Sequence, residues 1–388
     1  MPPDRTIGPY RGPRIASLDI VRGVVMVLMA LDHVRVYSGI PAGGPTAGLF
    51  FTRWVTHFCA PAFVFLAGTS AYLLGLKLSD RSSLARYLVT RGLLLVVLEV
   101  TVIRAGWTFG VDYSEFLLAG VIWMLGWCMV LLAGLIWLPT WGIAAFGAIT
   151  IVFQNVFGLV GSAVPAPLRA IWEFIYPVGA EITIGASGPS VSVLYVIVPW
   201  IGVMAAGYAF GAVMVREPAV RRRMCLRIGL TATALFVALC LLGLLFVPRP
   251  DDGTPVLFWM LNQRKYPASV LYLLMTLGPT IALLPAAERA RGSAARALAT
   301  FGRVPMFYYL LHIPVIHATA LLVWRVRNGS VHPEWFASAP FVSVPEGEAW
   351  GLPLLYAVFA LVILMLYFPC RWFEAFKARH SGSWVRYV

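Results

Sequence analysis

The sequence predicts an all-α polytopic integral membrane protein, a bundle of about ten transmembrane helices with both termini in the cytoplasm. Three observations predict it. Of the 388 residues, 60% are hydrophobic and only 12% are charged, against roughly 25% charged in a soluble domain. The apolar residues fall in long runs, each near the ~20 residues that a helix needs to cross a bilayer. The lysines and arginines gather in the short segments between the runs. The net charge of +13 therefore reads as a set of topology signals, and no nucleic-acid partner is expected.

The elements follow in order. Residues 1–14, MPPDRTIGPYRGPR, form a basic, Pro- and Gly-rich cytoplasmic segment. No cleavable signal pattern is read there, because the next apolar run is too long and too studded with polar groups. The transmembrane domain spans 15–370, with spans at 15–38, 54–76, 87–107, 116–138, 141–160, 191–215, 225–247, 266–285, 304–324 and 352–368. Trp54, Trp107 and Trp324 stand at span ends, where an interfacial aromatic belt belongs. Gln154 and Asn155 interrupt the fifth span, and PAPLRAIWEFIYPV at 165–178 reads as a short interfacial or re-entrant helix. Residues 371–388 form a cytoplasmic tail. Five scattered cysteines, Cys59, Cys128, Cys225, Cys240 and Cys370, show no CxxC-type pairing, so neither a disulfide framework nor a metal site is expected. With the N-terminus inside, 19 lysines and arginines fall on the inner side and 8 on the outer, which sets the orientation.

Ionisable groups inside spans are costly and mark function by default. The first span carries Asp19, Arg22, Asp32, His33 and Arg35. Arg22 and His33 are eleven residues apart, which at about 100° and ~1.5 Å per residue puts them on one face, about 16.5 Å apart. Asp19 shares that stripe, whereas Asp32 points about 100° away from His33. His57 enters the second span at a similar depth, and His312 and His317 lie in the ninth. Four histidines are thus expected around an outer vestibule. The plainer account of Arg22 with Asp19 is an ion pair that locks helices together. That of His57, His312 and His317 is packing with a satisfied hydrogen bond. Glu99, Arg91 and Arg104 read as a buried structural network.

The segment RIASLDIVRGVVMVLMALDHVR resembles the start of a bacterial membrane-protein family related to the heparan-α-glucosaminide N-acetyltransferase catalytic domain. The resemblance continues through THFCAPAFVFLAGTSAYL, GVIWMLGWCMVLL, VPWIGVMAAGYAFG, KYPASVLYLLMTLGP, FGRVPMFYYLLHIPVIH and the tail. The Arg22-to-His33 spacing is also similar to that of the membrane acyltransferase family 3 enzymes. The resemblance implies an acyltransferase in the bacterial cytoplasmic membrane, which moves an acetyl or short acyl group from cytoplasmic acetyl-CoA, or another acyl-CoA, to a sugar or glycan at the outer face. His33 then takes the place of the family's essential histidine and Arg22 that of its arginine. Asp32 stands where the heparan enzymes carry an asparagine, a departure that leaves the acceptor open.

On this reading His33, with Asp32 and His57 beside it, carries the chemistry, either as general base or as covalent acyl carrier. Arg22, Asp19, Arg14 and Arg303 form the donor end, since guanidinium forks match phosphate oxygens. His312, His317 and Arg35 face the acceptor, and His57, His317 or a span-end backbone amide supplies a donor to the thioester oxyanion. No metal is required, and a homodimer is compatible with the chain. The alternatives are a proton-coupled transporter of a small solute, for which buried Asp, His and Arg would also serve, and an inactive scaffold that binds a lipid or partner protein.

Overall fold

The computed structural model describes residues 15–43, 46–78, 80–114, 116–177, 179–185, 188–246 and 253–380. At its centre stands the first helix, Ala16–Tyr37. It contacts Cys59–Gly75, Val270–Arg289, Ser293–Arg303, Pro305–Asn328 and Leu352–Arg379. Its apolar residues Val21, Val25, Met26 and Val34 are buried. Enclosure explains how a membrane helix keeps four charged residues: the polar stripe faces protein, where partners exist, and not lipid.

Glycines set the helix spacing. A methyl added at Gly302 would stand 1.8 Å from the Asp19 carbonyl oxygen, and one at Gly23 would stand 1.9 Å from that of Leu298. The helices Ala16–Tyr37 and Ser293–Arg303 therefore touch backbone to backbone, which only small residues permit. Gly68 and Gly207 do the same between Cys59–Gly75 and Trp200–Met214, each 2.0 Å from a facing carbonyl oxygen by the same measure.

Among the described residues, five helices are long and apolar enough to cross a membrane: Ala47–Gly75, Pro218–Phe246, Val270–Arg289, Pro305–Asn328 and Leu352–Arg379. A sixth arises if Thr140–Val152 and Asn155–Ala163, bent by 59°, form one broken span. The bend falls at Gln154 and Asn155, the interruption read in the sequence. The first helix differs from a plain apolar span by its charges, and Val121–Leu135 and Trp200–Met214 are shorter apolar helices. The third predicted span is one continuous helical run, with Arg81–Leu98 passing through a π-helical turn at Glu99–Ile103 into Arg104–Thr108. Leu245, Phe246 and Phe368, on the Pro218–Phe246 and Leu352–Arg379 helices, are 76%, 76% and 63% exposed, as lipid-facing side chains should be.

The helical membrane class holds, with one small sheet added to it. A three-stranded sheet is present, with β1 (Phe116–Ala119), β2 (Glu181–Thr183) and β3 (Ser190–Val193) in the order β1-β3-β2. β1 and β3 run parallel, with Phe116 opposite Ser190, and β2 pairs antiparallel to β3, with Glu181 opposite Ser192. The fourth and sixth apolar runs thus begin as strands and become helices only after Gly120 and Pro199. Continuous apolar sequence does not separate a buried strand from a helix, and here the breaker residue marked the boundary. The 165–178 segment contains a short helix, Arg169–Ile175, after a 3₁₀ turn.

Glu99 ties this sheet to the bundle. Its carboxylate accepts the Ile122 N–H at 3.0 Å, which satisfies an orphan donor at the N-terminus of Val121–Leu135. Arg104 donates to the Phe116 and Gly110 carbonyls at 3.0 and 2.8 Å. Glu99 and Arg104 are therefore structural, as expected, but they act through backbone groups. Arg91 stands apart from them and donates to the Tyr87 hydroxyl at 2.7 Å. At the end of the bundle where the first helix stops, the 329–351 connection folds across. The Trp350 N–H donates to the Ser38 carbonyl at 2.9 Å, and the Phe336 ring lies 5.2 Å from Tyr37.

Candidate active site

The first helix brings two polar clusters to opposite ends of one internal cavity. At one end, the Arg22 guanidinium donates to the Asp19 carboxylate at 3.3 Å, the Gly302 carbonyl at 2.9 Å and the Ser70 hydroxyl at 2.9 Å. Asp19 also lies 3.8 Å from Arg303, which pairs with Glu374. Arg22 and Arg303 stand at this end, and Arg91 and Lys377 also line the cavity. Arg22 owes its position to the glycine contact, since the Gly302 carbonyl reaches it only because the two helices touch. Arg14, read as part of this end, lies outside the described residues.

The cavity measures about 360 Å³ and passes between apolar walls that include Met29, Phe63, Ala67, Leu88 and Ile122. Its volume falls in the range of small-molecule sites. At its far end stand Asp32, His33, Tyr195, Lys265 and Tyr309. The first-helix periodicity thus survives in three dimensions: Arg22 and His33 line the same space, eleven residues of helix apart.

A second cavity of about 190 Å³ begins where the first ends. Asp32, His33, Tyr195, Lys265 and Tyr309 line both. The second chamber adds Arg53, Glu99, Trp107, Tyr266 and Phe341, a mixture of ring faces and charged groups. Lys265 is buried, with its ammonium 5.6 Å and 5.0 Å from the ring centres of Tyr195 and Tyr266, where cation–π attraction holds it.

The histidines are placed unequally. Among the four, His33 alone lines the cavities. Its Nδ1 lies 2.7 Å from His312 Nε2, and its ring meets Trp107 edge-on at 4.7 Å. His312 sits behind it, fully buried, with its Nδ1 2.6 Å from the Tyr309 carbonyl oxygen. His57 is buried and hydrogen-bonded at 3.2 Å to the Arg53 carbonyl. His317 is stacked between Tyr37 at 4.8 Å and Phe109 at 3.9 Å. The vestibule of four histidines expected from the sequence is therefore one histidine at the junction, one partner behind it and two in packed positions.

Asp32 does not orient the His33 ring. Its Oδ1 accepts from Arg35 at 3.3 Å and lies 3.1 Å from the Thr56 hydroxyl and 3.7 Å from Arg53. Arg35 is itself anchored to the Ile40 carbonyl at 2.9 Å. Asp32 thus holds two arginines at the rim of the second chamber. Lys265, Tyr195, Tyr309, Arg53 and Trp107 were missed as site residues by sequence reasoning. Lys265 reads in the sequence as one of the 8 outer topology charges, although its neighbours in KYPAS, an aromatic and a proline at the start of a span, are the available signal.

Two adjoining chambers among apolar helices, with a histidine at their junction, mark the chain as an integral membrane protein with a candidate site inside the bundle. The chain belongs to the family of the heparan-α-glucosaminide N-acetyltransferase catalytic domain, which matches residues 14–244, more than half of its length. That membership makes it a membrane protein of acetyltransferase type. No curated protein matches the chain. The matched segment holds Arg22, Asp32, His33, Arg53 and Tyr195, whereas Lys265, Arg303 and His312 lie beyond it.

Proposed function

We propose that the protein is a transmembrane acyltransferase that moves an acetyl or short acyl group from acyl-CoA to a sugar or glycan hydroxyl or amine on the other side of the membrane. The observation that carries this reading is the meeting of two cavities at His33, one of which has its cationic mouth at the opposite end. Phosphates of the nucleotide rest against Arg22, Arg91, Arg303 and Lys377, because fixed guanidinium and ammonium groups match their charge. The flexible pantetheine arm lies along the apolar walls and brings the thioester to His33. The acceptor enters the second chamber, whose aromatic faces suit a sugar ring.

In the transfer step the acceptor oxygen or nitrogen attacks the thioester carbon and gives its proton to His33. The carbon–sulfur bond breaks, and the CoA thiolate takes the proton back. Lys265 is placed to donate to the oxyanion as it forms. Formation of an acyl-histidine is the covalent variant of the same geometry. Purified protein in lipid vesicles, given acyl-CoA on one face and a panel of sugars on the other, tests the reading. Transfer that needs both substrates on one face contradicts it.

The ten-crossing arrangement with both termini in the cytoplasm belongs to this proposal, as does a bacterial cytoplasmic-membrane location. The Lys/Arg asymmetry supports the orientation, and the location follows from the resemblance alone. A cysteine replacing Ser83 is expected to react with an impermeant thiol reagent only from the cytoplasm, and one replacing Ser330 only from outside. Reversed labelling overturns the sidedness of donor and acceptor together.

Arg22→Ala is expected to weaken acyl-CoA binding by about 1.5–3 kcal/mol, the usual worth of a charge-assisted hydrogen bond. Calorimetric titration with acyl-CoA reads this. Thermal unfolding must be followed in parallel, since Arg22 also bridges Asp19, Ser70 and Gly302. Unchanged donor affinity in a stable variant makes Arg22 a helix clamp only.

A further inference from the structure

The hydrogen bonds around His312 dictate which nitrogen of His33 carries the proton. His312 Nδ1 lies 2.6 Å from the Tyr309 carbonyl oxygen and 3.2 Å from that of Tyr308. Carbonyl oxygens only accept, so this nitrogen must carry a hydrogen. His312 is fully buried, and its other hydrogen-bonding neighbour is the neutral imidazole of His33. With no carboxylate among those partners, a positive charge on the ring would be uncompensated. Its Nε2 is therefore a bare lone pair, an acceptor. That lone pair faces His33 Nδ1 at 2.7 Å, so the hydrogen between the two rings belongs to His33.

From this geometry we infer that His312 is a positioning residue, which fixes His33 as the Nδ1–H tautomer and leaves the His33 Nε2 lone pair for the cavity junction. The inference rests on the acyltransferase reading above and deepens it. The chain of contacts runs from the Tyr309 carbonyl through His312 to His33, all neutral before the reaction. When His33 takes the acceptor proton at Nε2, its Nδ1–H remains bonded to His312 and the new charge is shared along that contact. Trp107, 4.7 Å away and edge-on, and the His312 ring, nearly coplanar with His33 and bonded to it at 2.7 Å, resist turning of the imidazole. A lone pair delivered by the wrong nitrogen would point at His312 and not at substrate. His312 thus performs the orienting task that a carboxylate performs in many histidine-dependent enzymes. A neutral partner adds no further charge beside Asp32, Arg53 and Lys265.

Solid-state ¹⁵N resonance of histidine-labelled protein in bilayers separates the two neutral tautomers without any activity assay, and the His33 signals are assigned by their loss in His33→Asn. Wild-type His33 is expected to show protonated Nδ1 and bare Nε2. In His312→Gln the side-chain oxygen can still accept, so the tautomer persists and transfer stays near wild type. In His312→Leu the acceptor is gone, the tautomers mix, and kcat falls by about 10- to 100-fold, as for other partners that orient a functional imidazole, with donor KM little changed. A wild-type His33 protonated on Nε2 overturns the inference, and so does His312→Leu with unchanged tautomer and kcat. If His312→Leu does not fold, the wild-type spectrum and His312→Gln still decide. A protein that shows the expected tautomer but transfers no acyl group overturns the proposed function and leaves the assignment of the proton intact.

Discussion

Substitution of His33 by alanine is expected to lower acyl transfer by at least ~10²–10⁴-fold, the contribution typical of a general base. The physical reason is its position. Among the residues at the junction of the two cavities it is the one imidazole, and a neutral imidazole is the side chain best matched to accept a proton near neutral pH. Donor affinity should hardly change, because the cationic mouth lies about eleven residues of helix away, roughly 16.5 Å. The fold should persist as well, since His33 is bonded to His312 and the core around Met26, Met29 and Val34 does not depend on its ring. A single-turnover assay with labelled acyl-CoA, run alongside a donor titration, reads both effects. Near wild-type transfer by His33→Ala would remove the mechanism but leave the family membership standing. Accumulation of an acylated histidine in wild type, absent from the variant, would select the covalent variant over direct attack.

Lys265→Met is expected to lower kcat by about 10²–10³-fold, the cost of removing one donor to a developing oxyanion. Lys265 borders both chambers beside His33, and its ammonium is held over two tyrosine rings. Methionine preserves the apolar stem and removes the charge, so packing against Tyr195 and Tyr266 is largely kept. The effect should appear in kcat and not in donor affinity. A variant that binds acceptor poorly but retains kcat would instead place Lys265 in acceptor recognition. A variant with unaltered kcat and KM would assign the lysine to structure alone.

These two residues show how unevenly the site was legible. His33 was readable because helical periodicity is local: an arginine and a histidine eleven apart must share a face, and that face proved to line one cavity. Lys265 was not readable as a site residue, because one lysine before a span looks like any topology charge until the bundle closes around it. His312 and His317 carry equal signals in FYYLLHIPVIH. They sit five residues apart on the Pro305–Asn328 helix, so the helix turns one toward His33 and the other between Tyr37 and Phe109. Asp32 diverges from His33 by about 100°, as the helix period requires, and it binds Arg35 and lies beside Arg53.

The sequence by itself determined the membrane class, the central polar helix and the Arg22–His33 axis, because hydropathy and helical period are properties of short segments. It did not separate the strands β1 and β3 from the helices they precede, since an apolar run has the same composition in either form. Only the tertiary structure decided that the axis runs inside a cavity, that a second chamber begins at His33, that Lys265 reaches it, and that His312 holds the ring from behind. Each of these is a meeting of residues far apart in the chain. Such meetings depend on how closely helices approach, and here glycines such as Gly23 and Gly302 let backbones touch, a distance that no local pattern encodes.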